Sequence, residues 1–284
     1  YKLSVDKVNL SFLANASYVK NEIKNLGNQT GYIDKESLPT LGTVSRNQNG
    51  YPIGYFFGYK AIGVFQTQEE IDNYISPATG KPIQPNAVPG DTKFEDLNGD
   101  GVISDDNEDR TMIGKPNPDW IVGLTVAADW NGFDLSAFFQ GSFGADVFDA
   151  LRRYELAAVN YTSDALERWT GPGTSNSMPR IVLGELFYSF YTSGDTPKNF
   201  RPSTLLVHDA SFLRLRNLQV GYTLPAQLTR KAYIQRLRFY ASFDNLLTIT
   251  GYKGMDPEIG STMGIDKGVY PQARVYTFGL NLTF

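Results

Sequence analysis

Hydrophobic and polar residues alternate along several long segments of the chain. From Val8 to Tyr18, apolar side chains occupy every second position, and the residues between them are mostly polar. The same alternation returns at 53–65, 120–130, 133–139, 211–224, 236–245 and 276–284. A period of two is that of a β-strand, because successive side chains point to opposite faces of a sheet. The pattern therefore predicts an all-β chain with about seven or eight long antiparallel strands.

Two local signals refine this prediction. Asn131-Gly132 separates the segments 120–130 and 133–139, and this dipeptide favours a two-residue hairpin turn. Within 211–224 the apolar phase shifts by one residue, which predicts a β-bulge near Arg216 and Asn217.

The alternation itself fits two architectures. In a soluble β-sandwich the apolar phase faces a core, whereas in an outer-membrane barrel it faces lipid. Three features favour the barrel. The strands run to about 10–14 residues, where about 5–6 is usual in globular proteins. The connections alternate between short and long. Aromatic residues gather at strand ends, as in the girdles of membrane barrels; these are Tyr55, Tyr59, Trp120, Trp130, Tyr276 and Phe284.

Connection lengths support the barrel with one exception. Segments 248–272, 144–210 and 66–118 are long, whereas 225–235 and the Asn131-Gly132 turn are short. Long loops on one side and short turns on the other are typical of bacterial barrels. By this alternation 21–50 should also be a short turn, and its length leaves open whether it holds a further strand.

Composition excludes some partners. The 26 Lys and Arg residues against 30 Asp and Glu give a net charge of −4, without a dense basic cluster, so nucleic acid is not expected as a partner. There are no cysteines. The opening "YKLSVDKVNL" reads as strand rather than as a signal peptide. We therefore expect the chain to be a piece of a longer protein.

The segment "DLNGDGVISDDNEDR" (96–110) has the spacing of a calcium-binding loop. Asp96, Asn98 and Asp100 alternate and Gly101 follows, as in an EF-hand, and Val102 would add a backbone carbonyl. Pro- and Gly-rich segments flank it instead of helices, and the twelfth position is Asn107 rather than glutamate. A metal-free, Asx-rich turn is the alternative.

Other candidate segments carry weaker signals. Residues 146–169 have apolar positions at helical spacing with Asp146 as a possible N-cap, which predicts a surface helix that packs the long loop. The aromatic segment 185–195 offers Tyr188 and Tyr191 for contact with a substrate or a partner. His208 has no nearby partner pattern for a catalytic triad or a zinc site. No pair of positioned carboxylates points to an enzyme.

Three ordered motifs carry a family resemblance: "GDTKFEDLNGDGVISDDNEDRTMIGKPNPDWIVGL", "DASFLRLRNLQVGYTLP" and "FYASFDNLLTITGYKGMDPE". Together with the terminal "YTFGLNLTF", they resemble the C-terminal part of SusC/RagA-type TonB-dependent transporters of Bacteroidetes. The resemblance covers nearly the whole chain. It implies a single barrel of 22 strands, the class with a plugged lumen, of which residues 1–284 would supply the closing strands and long extracellular loops. It also implies Asp109, which precedes an Arg, as the closing calcium ligand.

The resemblance further implies an importer in the bacterial outer membrane. The plug domain and TonB box would lie outside these residues, together with the rest of the barrel. TonB would act through the plug, and a SusD-like lipoprotein would cover the surface. The expected substrates are oligosaccharides or peptides, and no bond is made or broken. The alternative function is a soluble or surface β-sandwich adhesin with a calcium-stabilised loop.

Overall fold

The computed structural model describes residues 1–38, 41–104, 108–151, 160–181, 199, 201–259 and 263–284. The first half contains β1 (Lys2–Val5), β2 (Val8–Tyr18), β3 (Tyr32–Leu38), β4 (Gly42–Gln48), β5 (Tyr55–Tyr59), β6 (Ala61–Val64), α1 (Gln68–Asp72), β7 (Thr92–Phe94), β8 (Arg110–Gly114) and β9 (Trp120–Trp130). The second half contains β10 (Phe133–Phe143), β11 (Asp146–Asp149), β12 (Val207–Asp209), β13 (Phe212–Thr223), α2 (Ala226–Thr229), β14 (Arg236–Thr250), β15 (Ile265–Asp266) and β16 (Val275–Thr283). Short 3-10 helices cover Ser163–Glu167, Thr204–Leu206 and Arg230–Ala232.

The long strands form one antiparallel sheet of seven strands, in the order β1-β2-β9-β10-β13-β14-β16. Within the described residues β1 and β16 are its two edges, so the sheet is open. This confirms the predicted all-β fold and the approximate strand number. Among the described residues, no helix is long and apolar enough to cross a membrane.

The Asn131-Gly132 turn joins β9 to β10 as predicted. Trp130 pairs with Phe133 across a two-residue loop, and both turn residues have positive φ, 50° and 88°. That combination is the type I′ turn, whose twist matches that of the flanking strands.

Gly132→Ala should destabilise the protein by about 1–2 kcal/mol, since an L-residue is strained in the left-handed region. A Cβ at Gly132 would also lie 2.8 Å from the carbonyl oxygen of Thr223. Gly171→Ala is the matched control, because a Cβ there meets nothing within 4 Å. Denaturant unfolding of the complete protein measures both changes. Equal stability of the two variants would contradict the prediction.

The predicted bulge lies at Arg216. Phe138 pairs with Asn217 and Phe139 with Leu215, so Arg216 is an extra residue of β13 relative to β10. The neighbouring β14 also has an irregularity at this level, and Asn245 has a φ of 52°. At this level the side-chain amide of Asn217 donates to Asp244 (2.7 Å), and Arg214 and Arg216 reach the polar partners described below.

All long connections leave the seven-stranded sheet at the same end. Segment 19–119 joins β2 to β9, 144–211 joins β10 to β13, and 251–274 joins β14 to β16. They build three smaller sheets: β12-β11-β15, β3-β4-β5-β8 and β6-β7. One buried core is shared between these connections; its members are Val44, Phe56, Phe148, Leu206 and Ile265. We call this assembly of loop strands the outer unit.

The prediction that 53–65 is a strand of the main sheet is wrong. β5 belongs to the outer unit, where all five of its residues are buried, so Tyr55 and Tyr59 are core residues and not part of an aromatic girdle. Alternation has the same appearance in a strand buried within a folded loop. Segment 21–50 then falls in the same connection as 66–118 and holds β3 and β4, which removes the exception in loop length.

The predicted helix over 146–169 is also wrong where the structure describes it. Asp146 begins β11 instead of capping a helix, and its side chain accepts a hydrogen bond from the backbone N–H of Lys115 (2.9 Å). β11 pairs with β12 in antiparallel and with β15 in parallel orientation, and this pairing buries Val147 and Phe148 in strand conformation. These tertiary contacts override local helical spacing. Residues 152–159 lie outside the described residues.

Candidate functional site

One face of the seven-stranded sheet is continuously apolar. Register brings two complete rows of apolar side chains across it. The first row is Leu10, Ala128, Leu135, Val220, Ala241 and Phe278, and the second is Phe12, Val126, Ala137, Leu218, Phe243 and Tyr276. Many of these side chains are exposed, and Phe278 keeps 76% of its surface accessible. An exposed apolar surface of this extent marks a contact with lipid or with another protein.

Aromatic side chains close this apolar face at both ends. Trp130, Phe133, Tyr222 and Phe239 form a row beside the short turns, and Tyr18, Trp120 and Phe143 form a row beside the long connections. Trp120 and Trp130 are 47% and 52% exposed. Two aromatic rows that flank an apolar band are typical of the two interfaces of a membrane. The prediction that these two tryptophans lie at strand ends is confirmed.

The exposed apolar face does not support the β-sandwich hypothesis. A sandwich buries the apolar face of each sheet against a second sheet. In the described part of the chain, the outer unit packs at one end of the seven-stranded sheet and leaves Leu135, Val220 and Phe278 exposed.

The opposite face is polar and contains a well-formed ion pair. Arg238 on β14 reaches across β13 to Asp134 on β10, with Nε donating to Oδ1 at 2.8 Å. Gly221 lies between them, and a Cβ there would come within 2.6 Å of both side chains. The glycine therefore leaves the space through which the pair forms. Ser11, Ser136, Gln219, Ser242 and Thr277 follow in the next row.

A second charge cluster lies where β13 and β14 approach the outer unit. Arg214, which is only 2% exposed, donates to Glu258 (3.2 Å) and forms a short hydrogen bond with Asp256. Arg216 donates from Nη2 to both oxygens of Glu258, each at 2.6 Å, and from Nε to Gln140. We call Arg214, Arg216, Asp256 and Glu258 the rim cluster. Sequence reasoning missed it, although the bulge at Arg216 and the charges of "MDPE" were the available signals.

The electrostatics of Asp256 show how the cluster is held together. Burial alone would raise the pKa of its carboxyl, but N–H groups of Gln272 and Glu258 and the Arg214 guanidinium donate to it, and the net pKa lies below its usual value. Asp256 thus stays charged, and its two oxygens join both arms of the connection 251–274.

The predicted calcium loop is closely folded around its own carboxylates. Asp96 accepts hydrogen bonds from the N–H groups of Gly99 (2.8 Å) and Gly101 (2.9 Å). Asp100 accepts from the N–H of Val102 (2.9 Å), and the side-chain amide of Asn98 donates to Asp100. The same amide also donates to Glu108. The structure thus places Asp96, Asn98 and Asp100 in one turn, with a side-chain contact between Asn98 and Asp100.

Asp109 closes the loop from its far end. Its carboxylate is fully buried and accepts from the N–H groups of Leu97 and Ser104, both at 3.0 Å. The candidate metal ligands of this loop are all oxygen atoms, which are the ligands that calcium prefers. Among the described residues, however, no group of three acidic or histidine side chains is arranged to hold a metal ion. Calcium binding therefore stays a prediction.

A stack of arginines and aromatic rings supports this loop from the outer unit. Arg46 lies over Tyr32 and Phe57, Arg110 over Phe57 and Tyr59, and Arg201 over Tyr59 and Phe94. The Tyr59 hydroxyl donates to the carbonyl of Ser104 (2.7 Å), which links the stack to the acidic loop. Cation–π contacts that are removed from water contribute up to about 2 kcal/mol each.

The structure provides less evidence for the remaining candidate site residues. Tyr188 and Tyr191 lie outside the described residues. His208 lies on β12, and its Nε2 is 3.8 Å from a carboxylate oxygen of Asp149. It also lines a cavity of about 280 Å³ together with Asp164, Glu167, Asp209 and Lys253.

Known proteins that are similar to this chain are consistent with a sheet that has one apolar and one polar face. TonB-dependent receptor P3 of Formosa agariphila is 34% identical over 248 residues, 84% of this chain and 23% of that receptor. TonB-dependent receptor SusC of Bacteroides thetaiotaomicron is 29% identical over 273 residues, 95% of this chain and 24% of SusC. The RagAB peptide transporter superposes with a TM-score of 0.71 at 26% identity, over 100% of this chain and 28% of that chain. Over most of its length, this chain is therefore homologous to TonB-dependent receptors of the SusC and RagA kind.

The SusC/RagA-type match covers only part of each relative. The chain spans about a quarter of the length of the relatives named above. No protein-family model matches it. That the chain corresponds to the C-terminal part of such a receptor, without plug and TonB box, stays a prediction.

Proposed function

We propose that the chain forms part of the wall and the extracellular loops of a TonB-dependent importer in the bacterial outer membrane. The continuous apolar face with its two aromatic rows carries this proposal, because such a face matches the lipid-exposed surface of a membrane barrel. The polar face would then line the lumen, and the outer unit would lie on the extracellular side. The rest of the barrel would pair with the edges β1 and β16.

The relatives support the partners and cargo that we propose. SusC and the RagAB peptide transporter support a protein that works with a surface lipoprotein of the SusD kind, with TonB acting through a plug. Oligosaccharides and peptides are the two substrate classes that we propose. The work of the protein is binding and passage, and we propose no catalytic residue.

Tryptophan quenching tests the membrane proposal. In the complete protein, reconstituted in vesicles, a variant with Trp130 as its sole tryptophan should lose most of its fluorescence to brominated phospholipids. A variant with only Trp169 is the control, since its indole N–H donates to Gln66 within the outer unit. If Trp130 is no more quenched than Trp169, the apolar face does not contact lipid. Loss of growth on an oligosaccharide or peptide after deletion of the gene tests the import itself.

We also propose that the acidic loop binds calcium. Asp96, Asn98, Asp100 and Asp109 would supply side-chain oxygens, and Val102 would supply its backbone carbonyl. A bound cation would add to the hydrogen bonds that already fold the loop, and it would stabilise the outer unit rather than take part in transport.

Calorimetric titration of the complete protein with calcium tests this site. Calcium at about 100 times its Kd should stabilise the fold by about 2.7 kcal/mol. Asp100→Asn should weaken binding at least about tenfold, because it removes one charge from the ligand set. Glu69→Gln on α1 is the matched control, since it removes one charge away from the loop. A wild-type protein that takes up no calcium would exclude the site.

A further inference from the structure

The connection after β14 turns back over the polar face of the sheet. β14 runs on to Thr250, whereas β16 begins at Val275, which pairs with Asp244. The side-chain amide of Asn245 donates to the carbonyl of Ala273 (3.0 Å), so the returning arm lies at the level of the bulge. The chain thus descends below the top of β14 before β16 starts.

The outgoing arm of the connection is held on the polar side by the rim cluster. Arg214 shares its face with Gln140, with which it pairs, and it bonds to Asp256 and Glu258. Phe212, in the same phase, is also buried. On the opposite face of the same region, Leu247 and Ile249 on β14 are 51% and 60% exposed. Segment 251–259 therefore covers the polar face of the sheet at this level and leaves the apolar face exposed.

The two arms are also tied to each other and to the outer unit. Asp256 accepts from Glu258 on its own arm and from Gln272 on the returning arm, each at 2.9 Å. At the start of the outgoing arm, the Tyr252 hydroxyl donates to the buried Asp266 (2.7 Å). Asp266 is next to Ile265 of the shared core. Several bonds fix the position of segment 251–259, so it is a fixed part of the wall.

We infer that segment 251–259 narrows the passage and limits the size of what can enter it. This inference rests on the proposed function, in which the polar face lines the lumen. In this part of the wall, a solute meets Met255 and Glu258 rather than the strand residues behind them. Met255 is 66% exposed beside the buried Asp256. Arg214 and Arg216 are positioning residues that hold the segment in place.

The cysteine-free chain allows a direct test. In the complete protein, with cysteines outside this segment replaced, we would introduce Met255→Cys and treat outer-membrane vesicles with two maleimides. One is a small sulfonated maleimide, and the other carries a 5 kDa polyethylene glycol chain. Each rate is divided by the rate for the same variant in urea. We expect ready reaction with the small reagent and reaction at least tenfold slower with the large one.

A second variant separates this inference from the proposed function. Val220→Cys lies on the apolar face and should react with neither reagent in vesicles. Its labelling would contradict the membrane wall, whereas the result at Met255 concerns only the fold of the segment. Equal normalised rates for both reagents at Met255→Cys would overturn the inference, and so would lack of reaction with the small reagent.

The positioning role has its own readout. Arg216→Gln in the Met255→Cys background should raise the rate with the large reagent severalfold, because the segment loses its attachment to β13. The charge-reversed pair Arg216→Glu with Glu258→Arg should restore the size limit. A size limit that is unchanged in Arg216→Gln would exclude Arg216 as a positioning residue.

Discussion

Leu218→Arg should lower the free energy of unfolding of the complete protein by about 2–4 kcal/mol, the cost of a cationic side chain on the lipid face near the middle of a bilayer. Leu218 lies between Ala137 and Phe243 in an apolar row with further rows on both sides. The arginine would have no water at this depth. Urea unfolding of the protein in lipid vesicles measures the change.

Gln219→Arg is the matched control for this prediction. Gln219 is the next residue of β13 and lies on the polar face between Ser136 and Ser242. An arginine there enters the proposed aqueous lumen but loses the acceptor that Gln219 offers to Arg238 (3.4 Å), so we expect a loss of at most about 1 kcal/mol, the range of exposed charge interactions. If both variants lose the same stability, the two faces do not differ in environment, and the proposed membrane wall is contradicted.

Arg214→Met should be the most damaging single change in the rim cluster, at about 3–5 kcal/mol, the cost of leaving a buried charge without its partner. Asp256 would lose the guanidinium but remain buried. Hydrogen exchange should rise in 251–259 and around Gln272, while the Asn131-Gly132 hairpin stays protected. Thermal unfolding gives the stability. Exchange that stays slow in 251–259 would show that the cluster does not hold the segment.

The pH dependence of this cluster has a defined sign. The folded-state pKa of Asp256 lies below its usual value, so the carboxylate contributes stability above its unfolded pKa. That contribution is lost as the pH falls through the lowered folded-state pKa. Wild type should therefore lose this stability progressively in acid, from the usual pKa of aspartate down to the lowered folded-state pKa. Asp256→Asn should remove that part of the acid dependence.

Strand patterning predicted the seven-stranded sheet well because each of its long strands has one apolar and one polar face. The bulge at Arg216 and the Asn131-Gly132 turn were also readable, since a phase shift and a dipeptide with positive φ are local signals. β5 was misassigned because burial depends on the partners of a strand. β5 pairs with β4, which directly precedes it, and with β8, which lies some fifty residues further along the chain.

The candidate sites were harder to predict from the sequence, because most of their contacts join residues that are distant in the chain. The spacing of Asp96, Asn98 and Asp100 is local, and the structure indeed places them in one tight loop. The rim cluster joins Arg214 and Arg216 to Asp256 and Glu258, which are some forty residues away and carry no recognisable spacing. Asp146 looked like a helix cap because its real partners, Lys115 and β12, are distant in sequence.

The shared core of the outer unit has a consequence for biogenesis. Val44 and Phe56 are made early in this chain, Phe148 and Leu206 follow, and Ile265 comes more than two hundred residues after Val44. Loop closure over such separations slows folding. Until Ile265 has been synthesised, the earlier apolar side chains remain uncovered. We therefore expect the nascent chain to depend on holding chaperones until the connection 251–274 has been made.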